Sequence, residues 1–325
     1  MVAQRIRTIF SAIVFSSVVA FSQNVDTTRP AATALKVDVE LVTVDVSVTD
    51  EEGRHVTGLG QQYFRLWEDK IEQKIEYFAL EDTPITVGII FDVSASMSPS
   101  LAKAKDAALT FLASGNRDDE YFLVEFSDRP KVVQDFTTDI DKVKESLIAM
   151  SGKGATSLYD AVYLGLDKLK SARNPRKALL IISDGEDNRS RYSFSDLKRF
   201  VAEKDVKIYS IGISSGGGPQ FGSMLFGGSL LGDFLFGPLQ LEELANITGG
   251  EAFFPQSLGR LNDICKRIAA GLKSQYSIGY RSTNLIKDGA WRKLNLKLNT
   301  PKGAPRLNLR FKNGYYAATS GVASR

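Results

Sequence analysis

Two runs in this chain, Val87-Gly-Ile-Ile-Phe91 and Ala178-Leu-Leu-Ile-Ile182, carry no polar side chain. A strand built this way has no face to turn to water, so each belongs inside a sheet covered on both sides. Segments of helical periodicity alternate with them. Leu101, Ala104, Ala108, Leu109 and Leu112 form one stripe, and Leu158, Ala161, Val162, Leu166 and Leu169 another. Shorter stripes follow at Ile140–Ile148, Phe194–Val201, Leu241–Ile247 and Leu261–Leu272, with further strands at Tyr121–Phe126, Lys131–Phe136 and Val206–Ile211. Ser98 and Pro99 are placed as N-cap and first residue of the first helix. Buried strands alternating with amphipathic helices predict an α/β fold over residues 85–273, a Rossmann-like, doubly wound, mostly parallel sheet.

The flanks read differently. After a polar linker at 23–34, Val37 and Val39 alternate with acids, then Val42, Val44, Val46 and Val48 alternate on the opposite parity. That parity change predicts a β-bulge at Leu41-Val42. Phe64, Leu66, Trp67, Ile75, Tyr77 and Phe78 extend this β segment over 35–84. A second one, 274–325, carries Tyr276/Ile278/Tyr280, Leu294/Leu296/Leu298 and Leu307/Leu309/Phe311. Each is too short for an independent sheet, so the two are expected to pair across the inserted α/β domain as one small β-sandwich-like module.

Composition removes whole classes of function. Lys+Arg 41 against Asp+Glu 38 leaves a net charge of +3, which argues against nucleic acid as partner. One Cys excludes thiolate zinc clusters and a disulfide framework, and one His excludes most imidazole-based catalysis. Arg5 and Arg7 precede an uncharged run from Ile9 to Phe21, too short to span a bilayer, and Ala20-Phe21-Ser22 suits cleavage before Gln23. Residues 1–22 therefore read as a signal peptide, with an uncleaved anchor as the alternative. No later apolar stretch is long enough for an integral membrane segment, so the mature chain is expected to be exported, periplasmic or extracellular.

The chemistry-bearing residues lie where the buried strands end. Asp92-Val-Ser94-Ala-Ser96 puts a carboxylate and two hydroxyls at alternate positions before a helix. Gly152-Lys-Gly-Ala-Thr156 precedes another helix, and Ser183-Asp184-Gly185 follows the second apolar strand. In a doubly wound sheet such loops share one crevice. Their hydroxyl and carboxylate oxygens are the ligands of a hard cation.

This pattern resembles the von Willebrand factor type A domain, with its metal-ion-dependent adhesion site of D-x-S-x-S plus a later Thr and Asp. The resemblance implies a metal site of Asp92, Ser94, Ser96, Thr156 and Asp184. By it, Ser94 and Ser96 ligate Mg²⁺ (Mn²⁺ or Ca²⁺ as alternatives) directly, Thr156 joins on engagement, and Asp92 and Asp184 act mainly through water. The remaining position is left for an acidic side chain of a protein partner. The flanking Phe64-Arg-Leu-Trp-Glu-Asp69, Tyr276-Ser-Ile-Gly-Tyr280 and Lys312-Asn-Gly-Tyr315 resemble the VWFA-related family common in Acidobacteria.

Other features carry less. Gly212-Ile-Ser214-Ser-Gly216 matches a nucleophile elbow, but Gly217-Gly-Pro follows instead of a helix and the single His lies upstream. His55 is expected to be a solvated loop residue, and Cys265, on an apolar stripe, a buried inert thiol. Glu186 and Asp187 are either solvated, extra cation ligands, or a charge that repels acidic partners. The Gly- and Phe-rich stretch Ser214–Pro238 is a long connection: a partner-binding hairpin or lid, a self-packed loop, or a disordered one. These readings converge on an exported, non-enzymatic protein mediating Mg²⁺-dependent protein–protein interaction or adhesion in the cell envelope. The alternatives are a structural envelope protein with a vestigial metal site and an uncharacterised hydrolase.

Overall fold

Val87, Ile89 and Phe91 point to one face of the central strand and Ile90 to the other, and both faces are covered. That strand, β5 (Ile85–Asp92), is buried along its whole length in a computed structural model that describes residues 41–213, 231–300 and 305–319. Around it, β6 (Glu120–Phe126), β7 (Pro130–Thr137), β8 (Arg176–Ser183), β9 (Lys207–Gly212) and β10 (Ala252–Phe253) complete a six-stranded sheet of order β10-β9-β8-β5-β6-β7. Every pairing is parallel except the β6–β7 hairpin at one edge. Helices α1 (Leu101–Ala113), α2 (Ile140–Ala149) and α6 (Leu261–Lys273) pack on one face, with Phe111, Leu112, Leu147 and Leu272 in that core. Helices α3 (Leu158–Lys168), α4 (Phe194–Ala202) and α5 (Leu231–Thr248) cover the other, through Leu158, Val162, Leu197 and Leu244. The doubly wound α/β sheet expected from the apolar runs is the observed fold.

The flanking segments interleave. Strand β1 (Leu41–Thr49) pairs antiparallel with β11 (Gln275–Arg281), and β11 with β4 (Ile75–Glu81). A short β13 (Asn308–Arg310) completes a sheet β13-β1-β11-β4. The second sheet has the order β14-β12-β2-β3, from β2 (Phe64–Glu68), β3 (Ile71–Gln73), β12 (Trp291–Leu298) and β14 (Gly314–Tyr316). Val44, Val46, Phe64, Leu66, Tyr276, Ile278, Leu294 and Leu296 form a single core between them. Glu81 and Gln275 are register partners, so the chain leaves for the α/β domain and returns from it at one point on the sheet.

Four local expectations need correcting. The β1–β11 ladder runs from Leu41↔Arg281 to Ser47↔Gln275 without irregularity, so no bulge lies at Leu41-Val42; the register shift is between Gly279 and Tyr280, against β4. Val37 and Val39 lie outside the described residues. Helix α1 begins at Leu101, behind Ser100, not at Pro99. Successive turns, with Met97 N–H on the Ser94 carbonyl and Ser98 N–H on that of Ala95, fill 94–100, and a residue before proline disfavours helical backbone. Helix α5 reaches back to Leu231 through Pro238, so part of the supposed loop is helical; 214–230 lies outside the described residues. Lastly, His55 is half-buried against Gly271 of α6 rather than solvated.

Candidate functional site

Strands β5 and β8 are neighbours and end together, which sets Asp92 beside Ser183. Asp92 is wholly buried, and its carboxylate accepts from the Ser94 N–H at 2.8 Å and the Ser183 hydroxyl at 2.6 Å. Ser183 Oγ in turn accepts the Gly185 N–H at 3.0 Å. Asp184, half-buried, accepts the Glu186 N–H at 3.1 Å and adds its negative charge to the surroundings of Asp92. Burial first, and the Asp184 charge after it, push the Asp92 carboxyl up to about 6, against the hydrogen bonds from Ser183 and Ser94. Among the described residues neither Asp92 nor Asp184 forms an ion pair with a Lys or Arg. The Ser94 and Ser96 hydroxyls lie 3.0 Å apart, in the first turn after the strand.

Hydrogen bonds tie the second loop to this one. Ala95 N–H reaches the Gly154 carbonyl at 3.0 Å and Lys153 N–H the Val93 carbonyl at 2.8 Å. Thr156, also buried, is gripped by the third loop: its N–H donates to Asn188 Oδ1 at 3.0 Å, and its carbonyl accepts from the N–H groups of Asn188 and Arg189. The β6–β7 turn joins in, with Asp128 Oδ1 accepting the Ala155 N–H at 3.1 Å and Ser157 Oγ donating to the Ser127 carbonyl at 2.8 Å. Gly185 has a φ of +86°, and a Cβ there would come within 2.7 Å of the Gly237 backbone, so only glycine fits between the Asp184 loop and Gly237 of α5.

All five residues singled out in the sequence thus sit on three hydrogen-bonded loops at the carboxyl edge of the sheet. Asp187 has another use. It accepts the Tyr159 N–H at 3.2 Å and the Ser190 hydroxyl at 2.6 Å, closing the amino end of α3, while Glu186 is exposed. Two supporting residues escaped sequence reasoning. Ser183 was visible beside Asp184 but points back at Asp92, and Asp128 follows β6 on the same edge, where a short hairpin turn hid it.

The donor set suits a hard divalent ion. A buried and a half-buried hydroxyl already within hydrogen-bond distance, next to two carboxylates without basic partners among the described residues, offer neutral and anionic oxygen together. Among the described residues no group of three or more His, Cys, Asp or Glu is placed to hold a metal.

Residues 87–186 match the family model of the von Willebrand factor type A domain. An uncharacterized protein of Borreliella burgdorferi is 26% identical over 175 residues, 50% of this chain and 51% of that one; the chain spans about half the length of this relative. Three solved structures are similar at low identity. The von Willebrand factor type A protein from Catenulispora acidiphila is 12% identical over 86% of this chain and 74% of its own, with a TM-score of 0.49. BatB from Bacteroides thetaiotaomicron is 19% identical over 58% of this chain and 100% of its own, with a TM-score of 0.45. The vWF domain of the pilus tip protein Mfa5 from Porphyromonas gingivalis is 13% identical over 59% and 97%, with a TM-score of 0.46.

Proposed function

We propose that this chain, whose residues 87–186 are a von Willebrand factor type A domain, is an exported, non-enzymatic module that grips another protein through a divalent cation at the Asp92 loop. Domains of this family are in general interaction modules rather than enzymes. The observation that carries the reading is the pair of Ser94 and Ser96 hydroxyls, 3.0 Å apart beside a wholly buried carboxylate that has no basic partner among the described residues.

In this reading Ser94 and Ser96 hold Mg²⁺ directly, Thr156 joins them on engagement, and Asp92 and Asp184 act through water. The bound ion supplies a hard Lewis-acidic centre for an oxygen of the partner, best an acidic side chain. The protein's own residues prepare that contact. Ser183 and the Ser94 N–H fix the Asp92 carboxylate, and Asn188 and Asp128 hold the Thr156 loop beside it. Mostly neutral ligands leave the ion under-compensated until the partner's carboxylate arrives, which makes the grip metal-dependent and partner-dependent together. Export rests on the charged and apolar pattern of residues 1–22; among the described residues no helix is long and apolar enough to cross a membrane.

Calorimetric titration of the purified protein with Mg²⁺ and Mn²⁺ tests the site: one weak site is expected, lost in Asp92→Ala with the fold intact by circular dichroism. Capture of a partner from envelope extract should then require Mg²⁺ and fail in EDTA. Identical metal uptake by wild type and Asp92→Ala, or EDTA-resistant capture, would overturn the proposal.

A further inference from the structure

A cleft of ≈ 630 Å³ lies between the amino ends of the parallel strands and the β-sandwich, lined from both modules. Ile85, Arg176 and Lys207, the first residues of β5, β8 and β9, line it, so it is at the opposite end of the sheet from Asp92 and Ser183. We propose that this cleft binds a small dianionic oxyanion with the chemistry of a phosphate group, held between Lys207 and Arg176.

Both cations have donors to spare. Lys207 is 7% exposed, and its ammonium has three N–H groups. It meets Gln275 Oε1 at 3.1 Å and the Asp45 carbonyl at 3.5 Å, the limit of a hydrogen bond. Gln275 cannot turn away to do more, because its Nε2 donates to the Gly271 carbonyl at 3.1 Å. Arg176 spends its two terminal nitrogens on the Thr83 and Leu272 carbonyls, but its Nε is buried without an acceptor among the described residues. Buried donors left unmade are uncommon and call for an acceptor.

The charges point the same way. Burial is the main force driving Lys207 down to about 8, and the neighbouring Arg176 charge adds to it. Asp45 and Asp205 offset part of this, but neither carboxylate forms an ion pair with Lys207. Of the other acids lining the cleft, Glu81 accepts from the Tyr77 and Thr83 hydroxyls and Glu203 lies 3.9 Å from Lys204. A buried ammonium and a half-buried guanidinium lining one space, with unmade donors, are compensated by an anion with several acceptor oxygens. Because the cleft is lined by both modules, the bound anion would clamp the sandwich to the α/β domain.

The test uses the full chain in EDTA, titrated with sulfate and with inorganic phosphate at ionic strength matched by chloride. Saturable one-site heat and a rise in Tm with sulfate and phosphate but not chloride are expected. Lys207→Met should weaken binding at least about tenfold, the equivalent of one lost charge-assisted hydrogen bond. Arg176→Lys, which keeps the charge and removes Nε, should weaken it several-fold and decides the matter if Lys207→Met does not fold. Asp92→Ala should bind the anions as wild type does, which separates this site from the metal site. No saturable uptake by wild type, meaning water alone fills the cleft, or wild-type affinity in the folded Lys207 or Arg176 variant, would overturn the proposal.

Discussion

The buried carboxylate at the centre of the site should make the metal-free protein less stable than a variant without the charge. Asp92 is wholly buried, and its carboxyl is raised from 3.8 to about 6. The folded state therefore holds this proton more tightly than the unfolded chain does. Stability from this group is fully present below about pH 4 and is lost as pH rises through about 6. Two pH units at ~1.4 kcal/mol each amount to ~3 kcal/mol withdrawn at neutral pH. Asp92→Asn removes the charge and keeps the shape. Its Oδ1 still accepts the Ser94 N–H, and its Nδ2 donates to Ser183 Oγ, whose hydroxyl hydrogen must then find another acceptor. That loss reduces the gain to ~1–2 kcal/mol. At ~2–4 °C per kcal/mol, the variant should melt ~2–8 °C above wild type in EDTA at pH 7.5.

Metal should reverse the order. An ion at 100 times its Kd stabilises the folded state by ~2.7 kcal/mol, and only the wild type should respond. The assay is a set of thermal and urea denaturation curves for both proteins from pH 4 to 8, with EDTA or saturating Mg²⁺. In EDTA the gap should close toward pH 4; in Mg²⁺ wild type should be the more stable. An Asn variant less stable than wild type in EDTA, or a gap that ignores pH, would refute the reasoning.

Three further outcomes follow from the same structure. Glu68 accepts the hydroxyls of Tyr280 at 2.7 Å, Tyr315 at 2.9 Å and Ser282 at 2.6 Å, joining the two sheets, so Glu68→Ala should cost ~3 kcal/mol or more by urea denaturation; a loss under ~1 kcal/mol would mean the three hydroxyls find other partners. His55 is lowered from 6.5, chiefly by burial, so the lone imidazole signal in NMR should titrate below 6.5 and stability should fall as pH drops through that range; a midpoint at or above 6.5 would contradict its packing. Gly185→Ala, forced into left-handed backbone against Gly237, should cost ~1–2 kcal/mol of local strain and weaken Mg²⁺ binding; unchanged metal affinity would show the Asp184 loop has room.

What could be read from residues alone was whatever depends on neighbours in sequence. The runs at Val87–Phe91 and Ala178–Ile182 announce burial on both faces because every residue in them is apolar, whichever strand lies alongside. Asp92, Ser94 and Ser96 are legible as a unit because two-residue spacing at a strand end aims them together. Where the partner comes from far along the chain, local pattern misleads. His55 follows Asp50, Glu52 and Arg54 and looks solvated, yet Gly271, more than two hundred residues later, leaves the gap that the imidazole fills. Pro238 reads as a helix boundary since proline forfeits one backbone hydrogen bond, but α5 absorbs that loss and continues. Asp187 and Glu186 are adjacent acids with equal claim on a cation. Only the position of the α3 amino end, set by the sheet between them, gives Asp187 to the Tyr159 N–H and leaves Glu186 at the rim. The same logic explains why Ser183 was overlooked. A serine that ends β8 becomes a site residue only because β8 lies beside β5, and that adjacency puts its hydroxyl 2.6 Å from the carboxylate whose charge the site must hold.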